Sequence, residues 1–135
     1  MVTMRINSAF VANYAEFVNG RASIIGAFPA GFTIPADLPF TSSLGFVCLC
    51  DIDQADFGQT FTFDLHLVAP SGLKTQLWHF SGPLVAPPNL PRNAPMFESF
   101  ICQTPVVFQM EGLHSLEFVG NGLSRTVPFA VECVR

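Results

Sequence analysis

The chain has 135 residues, half of them hydrophobic and only 12% charged, with a formal net charge of −4. That length makes one domain, 1–135, which can bury about two thirds of its unfolded surface without disulfides or metal. The six basic residues (Arg5, Arg21, Lys74, Arg92, Arg125 and Arg135) are dispersed, which argues against nucleic acid, and no apolar run reaches the ~18 residues of a membrane helix.

Ala9 to Val18 is a mixed apolar run that composition alone would allow as a short helix. Asn19-Gly20 decides for a strand, because this pair favours the positive φ angles of a type I′ hairpin turn. Arg21 to Phe28 is then the returning strand. Pro29 to Pro39 holds three prolines and one glycine, and is expected as a loop or crossover. Leu44 to Ile52 follows as a strand with two apolar faces. Leu44, Phe46, Cys48, Cys50 and Ile52 share one face, and Val47 and Leu49 lie on the other. Two layers of sheet cover one of these faces, and the other is expected to need a loop, such as the proline-rich 83–95 stretch folding back, or another chain. Asp51 to Gly58 is a polar turn.

From Phe61 the residues alternate. Phe61, Phe63, Leu65 and Leu67 fall on one side, and Thr62, Asp64 and His66 on the other, as in a half-buried strand. Ala69-Pro70-Ser71-Gly72 supplies a turn, and Leu73 to Phe80 returns as its hairpin partner. Gly82 to Pro95, with five prolines, is expected as a surface connection. Phe97 to Met110 reads as one long or two short strands, with Pro105 marking an edge or a bulge. Leu113 to Val119 and Leu123 to Cys133 form a last hairpin across Gly120-Asn121-Gly122. Leu123, Val127, Phe129, Val131 and Cys133 share a face of the final strand, and Pro128 again points to an edge or bulge. About eight strands with frequent turns predict an antiparallel β-sandwich, with a barrel as the alternative.

Three segments taken in order, VANYAEFVNGRASIIGAF, FTFDLHLVAPSG and GLHSLEFVGNGLSRTVPFAV, resemble a family of small bacterial proteins of unknown function. Its members open with an alanine-rich strand and an Asn-Gly hairpin. They end in a Pro-Phe-x-Val motif, matched here by Pro128, Phe129 and Val131. The chain departs from the family at Cys50-Asp51, where a tryptophan is usual, and at Gly112-Leu113-His114, where a Gly-aromatic pair is usual. The resemblance implies an immunoglobulin-like sandwich of about 7–9 strands. It implies no activity and carries no site residues.

The candidate chemistry is thin. Asp51, Asp53 and Asp56 with Gly58 offer oxygen ligands, but their spacing is not that of a calcium loop, and aspartate is common in turns for its own hydrogen bonding. His66, His79 and His114 fall on separate strands and would need alignment to hold zinc. Cys48, Cys50, Cys102 and Cys133 lack Cys-x-x-Cys spacing and are expected as buried, free thiols. A thiol such as Cys102 in an apolar strand is inert. The nucleophile-elbow, zinc-protease and phosphate-loop motifs are all missing. No catalytic, cofactor or metal residue is therefore assigned.

The expected function is a non-catalytic structural or interaction subunit. It would self-associate or dock a protein partner through an apolar sheet face, since the charged fraction is well under the usual ~25%. The alternative is a binding module for a small apolar or carbohydrate ligand; only Trp78 and Tyr14 are available as stacking platforms, against fifteen phenylalanines, which favours the assembly reading. Arg5 precedes an apolar stretch broken by Asn7, Asn13 and Glu16, so no secretory signal is read and a cytoplasmic location is expected.

Overall fold

A computed structural model describes residues 4–18, 21–27, 31–34, 37–85 and 96–133. The described residues form nine strands and one short 3₁₀ turn, Gln54–Asp56. The strands are β1 (Arg5–Val18), β2 (Arg21–Ala27), β3 (Gly31–Ile34), β4 (Phe40–Ile52), β5 (Thr60–Val68), β6 (Lys74–Pro83), β7 (Met96–Phe108), β8 (Gly112–Gly120) and β9 (Leu123–Cys133). They make two sheets, ordered β2-β1-β4-β7 and β3-β9-β8-β5-β6. The expected Asn19-Gly20 turn and most of the proline-rich connection, 86–95, lie outside the described residues.

The period-2 pattern is realised where it is cleanest. Phe61, Phe63, Leu65 and Leu67 of β5 are buried, and the residues between them are not. β8 and β9 pair from Gly112↔Val131 to Gly120↔Leu123. Asn121 (φ 48) and Gly122 (φ 77) supply the two positive φ angles that a two-residue turn of this twist requires. β7 is one continuous strand, paired along its full length with β4, and among the described residues no strand pairs with its other side. Pro105 is accordingly an edge residue, where a missing N–H disturbs no ladder. Pro128 lies on the stretch of β9 that β3 leaves unpaired, for the same reason.

Phenylalanine fills the space between the sheets. Phe63 stacks on Phe118 at 4.5 Å and meets Phe100 of the facing sheet at 4.9 Å, and Phe46 reaches Phe118 at 5.5 Å. Among the described residues eight of thirteen phenylalanines are buried, so much of the apolar excess in the composition goes into the core rather than onto the surface.

Two sequence expectations are corrected. Pro29 to Pro39 is not wholly a loop, because it contains β3. Phe32 packs edge-on against Phe129 at 5.4 Å, and Ile34 is buried. β3 runs parallel to β9, Gly31↔Ala130 to Ile34↔Cys133, so the five-stranded sheet is mixed and not antiparallel throughout. Four residues between prolines carry too short a pattern to be seen, and their partner lies about a hundred residues away.

The second correction concerns the outer face of β4. Val47 was expected to need a loop or another chain to cover it, yet it is fully buried within this chain. Phe10 and Ile101 flank it on the neighbouring strands. Beyond Ala12, β1 leaves β4, pairs only with β2 and passes across the outer face of β4, so that Ala15 joins the same cluster. Gly45 makes this crossing possible: a Cβ there would lie 2.8 Å from the Ala15 nitrogen and 2.9 Å from its Cβ. Gln103 ties the crossing down. Its Oε1 accepts from the Ala15 N–H at 2.9 Å, and its Nε2 donates to Ser43 Oγ at 2.6 Å.

Candidate functional site

The two sheets close on one side, where β1 meets β9 and Arg125 donates to the Ile6 carbonyl at 3.2 Å. They part on the other side, along the seam between edge strands β6 and β7. Two hollows lie on this seam. The lower, about 420 Å³, is lined by Trp78 and Phe80 of β6 and by Phe97 to Ile101 of β7. The upper, about 520 Å³, lies between Thr75 to Leu77 and the Thr104 to Gln109 stretch.

β6 differs from its neighbour β5 by one bulge. Leu65 pairs with Trp78 and His66 with Gln76, so Leu77 is the extra residue. The bulge turns the far end of β6 outward, and Lys74, Thr75 and Gln76 are all exposed. Trp78 stays half-buried and packs on Phe80, centroids 5.9 Å apart, and Phe80 closes the floor against Phe100 at 5.5 Å. Phe97 stands at the rim, 59% exposed, and Val107 is exposed further along the same strand.

Glu98 is the one charged residue among the described lining residues. It lies in the inward register of β7 with Phe100 and Cys102, directly across from Cys50. Burial raises its carboxyl above the usual carboxylate range. Among the described residues no hydrogen-bond donor or cation partners it. Glu98 is not among the residues singled out from the sequence. The signal was present, since a carboxylate in phase with Phe100, Cys102 and Val106 stands on a face otherwise meant for the core.

The residues singled out from sequence are not assembled into one centre. Asp56 is fully buried in the turn, where its carboxylate accepts from the Asp53 N–H at 2.9 Å, and Asp53 opens the same turn. Asp51 lies on β4 within reach of the Asn7 amide, and Gly58 donates to the Leu84 carbonyl at 2.8 Å. His79 and Asp64 bond at 2.6 Å on the outer face of the five-stranded sheet, and His66 lies on that face two residues along β5. His114 faces the opposite way, buried between Phe108 and Phe129, with Nδ1 on the Gly112 carbonyl at 3.1 Å. The three histidines therefore do not converge.

None of the four cysteines forms a disulfide among the described residues. Cys48 and Cys50 are buried with sulfurs 3.8 Å apart, and Cys102 and Cys133 are half-buried. The neighbouring thiol and burial hold Cys50 protonated, and burial pushes Cys102 up to about 11.

No family model and no curated protein matches the chain. The resemblance to the small bacterial family thus rests on the three quoted segments. Among solved structures, the chain is similar to part of the Pseudomonas fluorescens alkylpurine DNA glycosylase AlkC bound to DNA containing an abasic site analog. The identity is 12% and the TM-score 0.54, and the match covers 98% of this chain and 31% of that one. At that identity the likeness is one of fold.

Proposed function

We infer that the chain is a non-catalytic interaction module on an immunoglobulin-like sandwich, and that it associates through the β6–β7 side. The strand order supports the fold. β1-β4-β7 faces β9-β8-β5, which matches the A-B-E and G-F-C halves of an immunoglobulin domain, and β3 joins the last strand in parallel. One observation carries the function. Among the described residues β7 is a long edge with no strand on its outer side, and the side chains it exposes, Phe97, Gln103, Pro105 and Val107, bear no charge. Soluble domains usually protect such edges with charges or bulges, and here Pro105 is the main obstacle to pairing. A second copy fits this edge by antiparallel pairing about a twofold axis. The net negative charge and the dispersed basic residues support a protein partner over nucleic acid, despite the DNA bound by the glycosylase.

Size-exclusion chromatography with light scattering tests this. The parent should exceed its monomer mass of 14.7 kDa. Phe97→Lys with Val107→Lys should return it to the monomer with little change in thermal midpoint, because both side chains are exposed. A parent that stays monomeric to about 100 µM, where even a ~10 µM interface of about −7 kcal/mol would be mostly occupied, refutes self-association. The function would then move to the second reading, a small-ligand module. The position of the only tryptophan, lining the 420 Å³ hollow, favours that alternative.

A further inference from the structure

We propose that the lower hollow of the seam, between Trp78 and Glu98, is a binding site for an organic cation, an alkylammonium or guanidinium group. The hollow is built within one chain, so the site is present in the monomer; a second copy paired on β7 would lie against its rim at Phe97. The volume of about 420 Å³ holds a group of this size. One wall is aromatic, with Trp78 and Phe80 tilted 30° to each other, and Phe97 stands at the rim. Ring faces attract cations, tryptophan most strongly. The other wall carries Glu98, a half-buried carboxylate with no partner among the described residues. An unpaired carboxylate drawn partly out of water is costly, and a cation beside it removes that cost. Two of the chain's own cations are engaged elsewhere: Lys74 pairs with Glu117 at 3.1 Å, and Arg125 is held by the Ile6 carbonyl.

The lining also selects against other ligand classes. A metal ion needs several ligands, and no group of three His, Cys, Asp or Glu side chains comes together among the described residues. An anion would meet the carboxylate. A sugar needs several directed polar groups, and among the described residues this lining offers only Glu98, Ser99 and the Trp78 indole N–H in side-chain form.

Trp78 is the only tryptophan, so its fluorescence reports on the hollow directly. Ethylguanidinium chloride, titrated at constant ionic strength with sodium chloride as balance, should change the emission in a saturable way. Ethylurea, its neutral counterpart, should not. Glu98→Gln keeps the shape of the side chain and should weaken binding at least tenfold. Trp78→Phe, followed by backbone amide NMR shifts on β7, should weaken it several-fold. An acetylated and amidated Thr-Arg-Thr peptide identifies the source of the cation: tighter binding than ethylguanidinium assigns a polypeptide side chain, and equal binding assigns a free small cation. Equal responses to ethylguanidinium and ethylurea would overturn the proposal, as would undiminished binding by Glu98→Gln or no shift on β7 in the parent.

Discussion

Replacing Gly45 by alanine tests the crossing of β1 over β4. The added methyl would meet the Ala15 nitrogen at 2.8 Å, the Ala15 Cβ at 2.9 Å and Gln103 Oε1 at 3.0 Å. Two of these atoms belong to the crossing residue itself, one of them backbone, so the strain cannot be relieved by rotating a flexible side chain. Overpacking of this kind costs about 1–3 kcal/mol. If β1 lifts, the Ala15 N–H also loses Gln103, a further ~1 kcal/mol. The total is about 2–4 kcal/mol. With an unfolding entropy of about 2.1 cal/mol/K per residue, it lowers the melting midpoint of this 135-residue chain by ~7–14 °C. Thermal unfolding followed by circular dichroism measures this. Gly82→Ala is the control: its Cβ would meet only Phe80 Cζ, at an ordinary 3.6 Å, and it should stay within about 1 kcal/mol of the parent. A Gly45→Ala midpoint within about 2 °C of the parent would refute the crossing.

Three further outcomes follow from the same packing. Val47→Thr with Leu49→Lys should lose several kcal/mol in urea unfolding without changing the native mass, because Val47 is covered by its own chain; a stable variant with altered assembly would contradict this. Under native conditions at pH 8 a thiol reagent should leave Cys48 and Cys50 unlabelled and react slowly with Cys102, whose thiol stands at about 11, and after denaturation it should label all four cysteines. Glu98→Gln should raise the melting midpoint at neutral pH. The folded carboxyl is raised above its unfolded value near ~4.3, so ionising it opposes folding; the gap between variant and parent should be full above the raised value and close as pH falls to about 4. A gap that is constant with pH would show that the carboxyl is not desolvated.

The alternation of β5 and the Gly120-Asn121-Gly122 hairpin could be read from the sequence because both are local. A strand's two faces and a turn's φ angles are set by neighbours within a few residues, and a half-buried sheet records them in its pattern. Pro105 and Pro128 were readable as edge markers for the same reason. The two apolar faces of Leu44 to Ile52 were correctly seen, and what covers the second one was not.

That cover depends on Ala15 lying over Gly45, thirty residues apart, and on Gln103 reaching both strands. The parallel pairing of β3 with β9 is equally non-local. So is the hollow, whose walls, Trp78 and Glu98, come from different sheets. The sequence by itself determined the strands other than β3, the faces of the cleanly alternating ones, and that the domain is all-β. Only the tertiary structure decided which edges stay open and which side chains meet across them. Periodicity encodes a residue's orientation relative to its own strand, whereas contacts between sheets depend on the path of the whole chain.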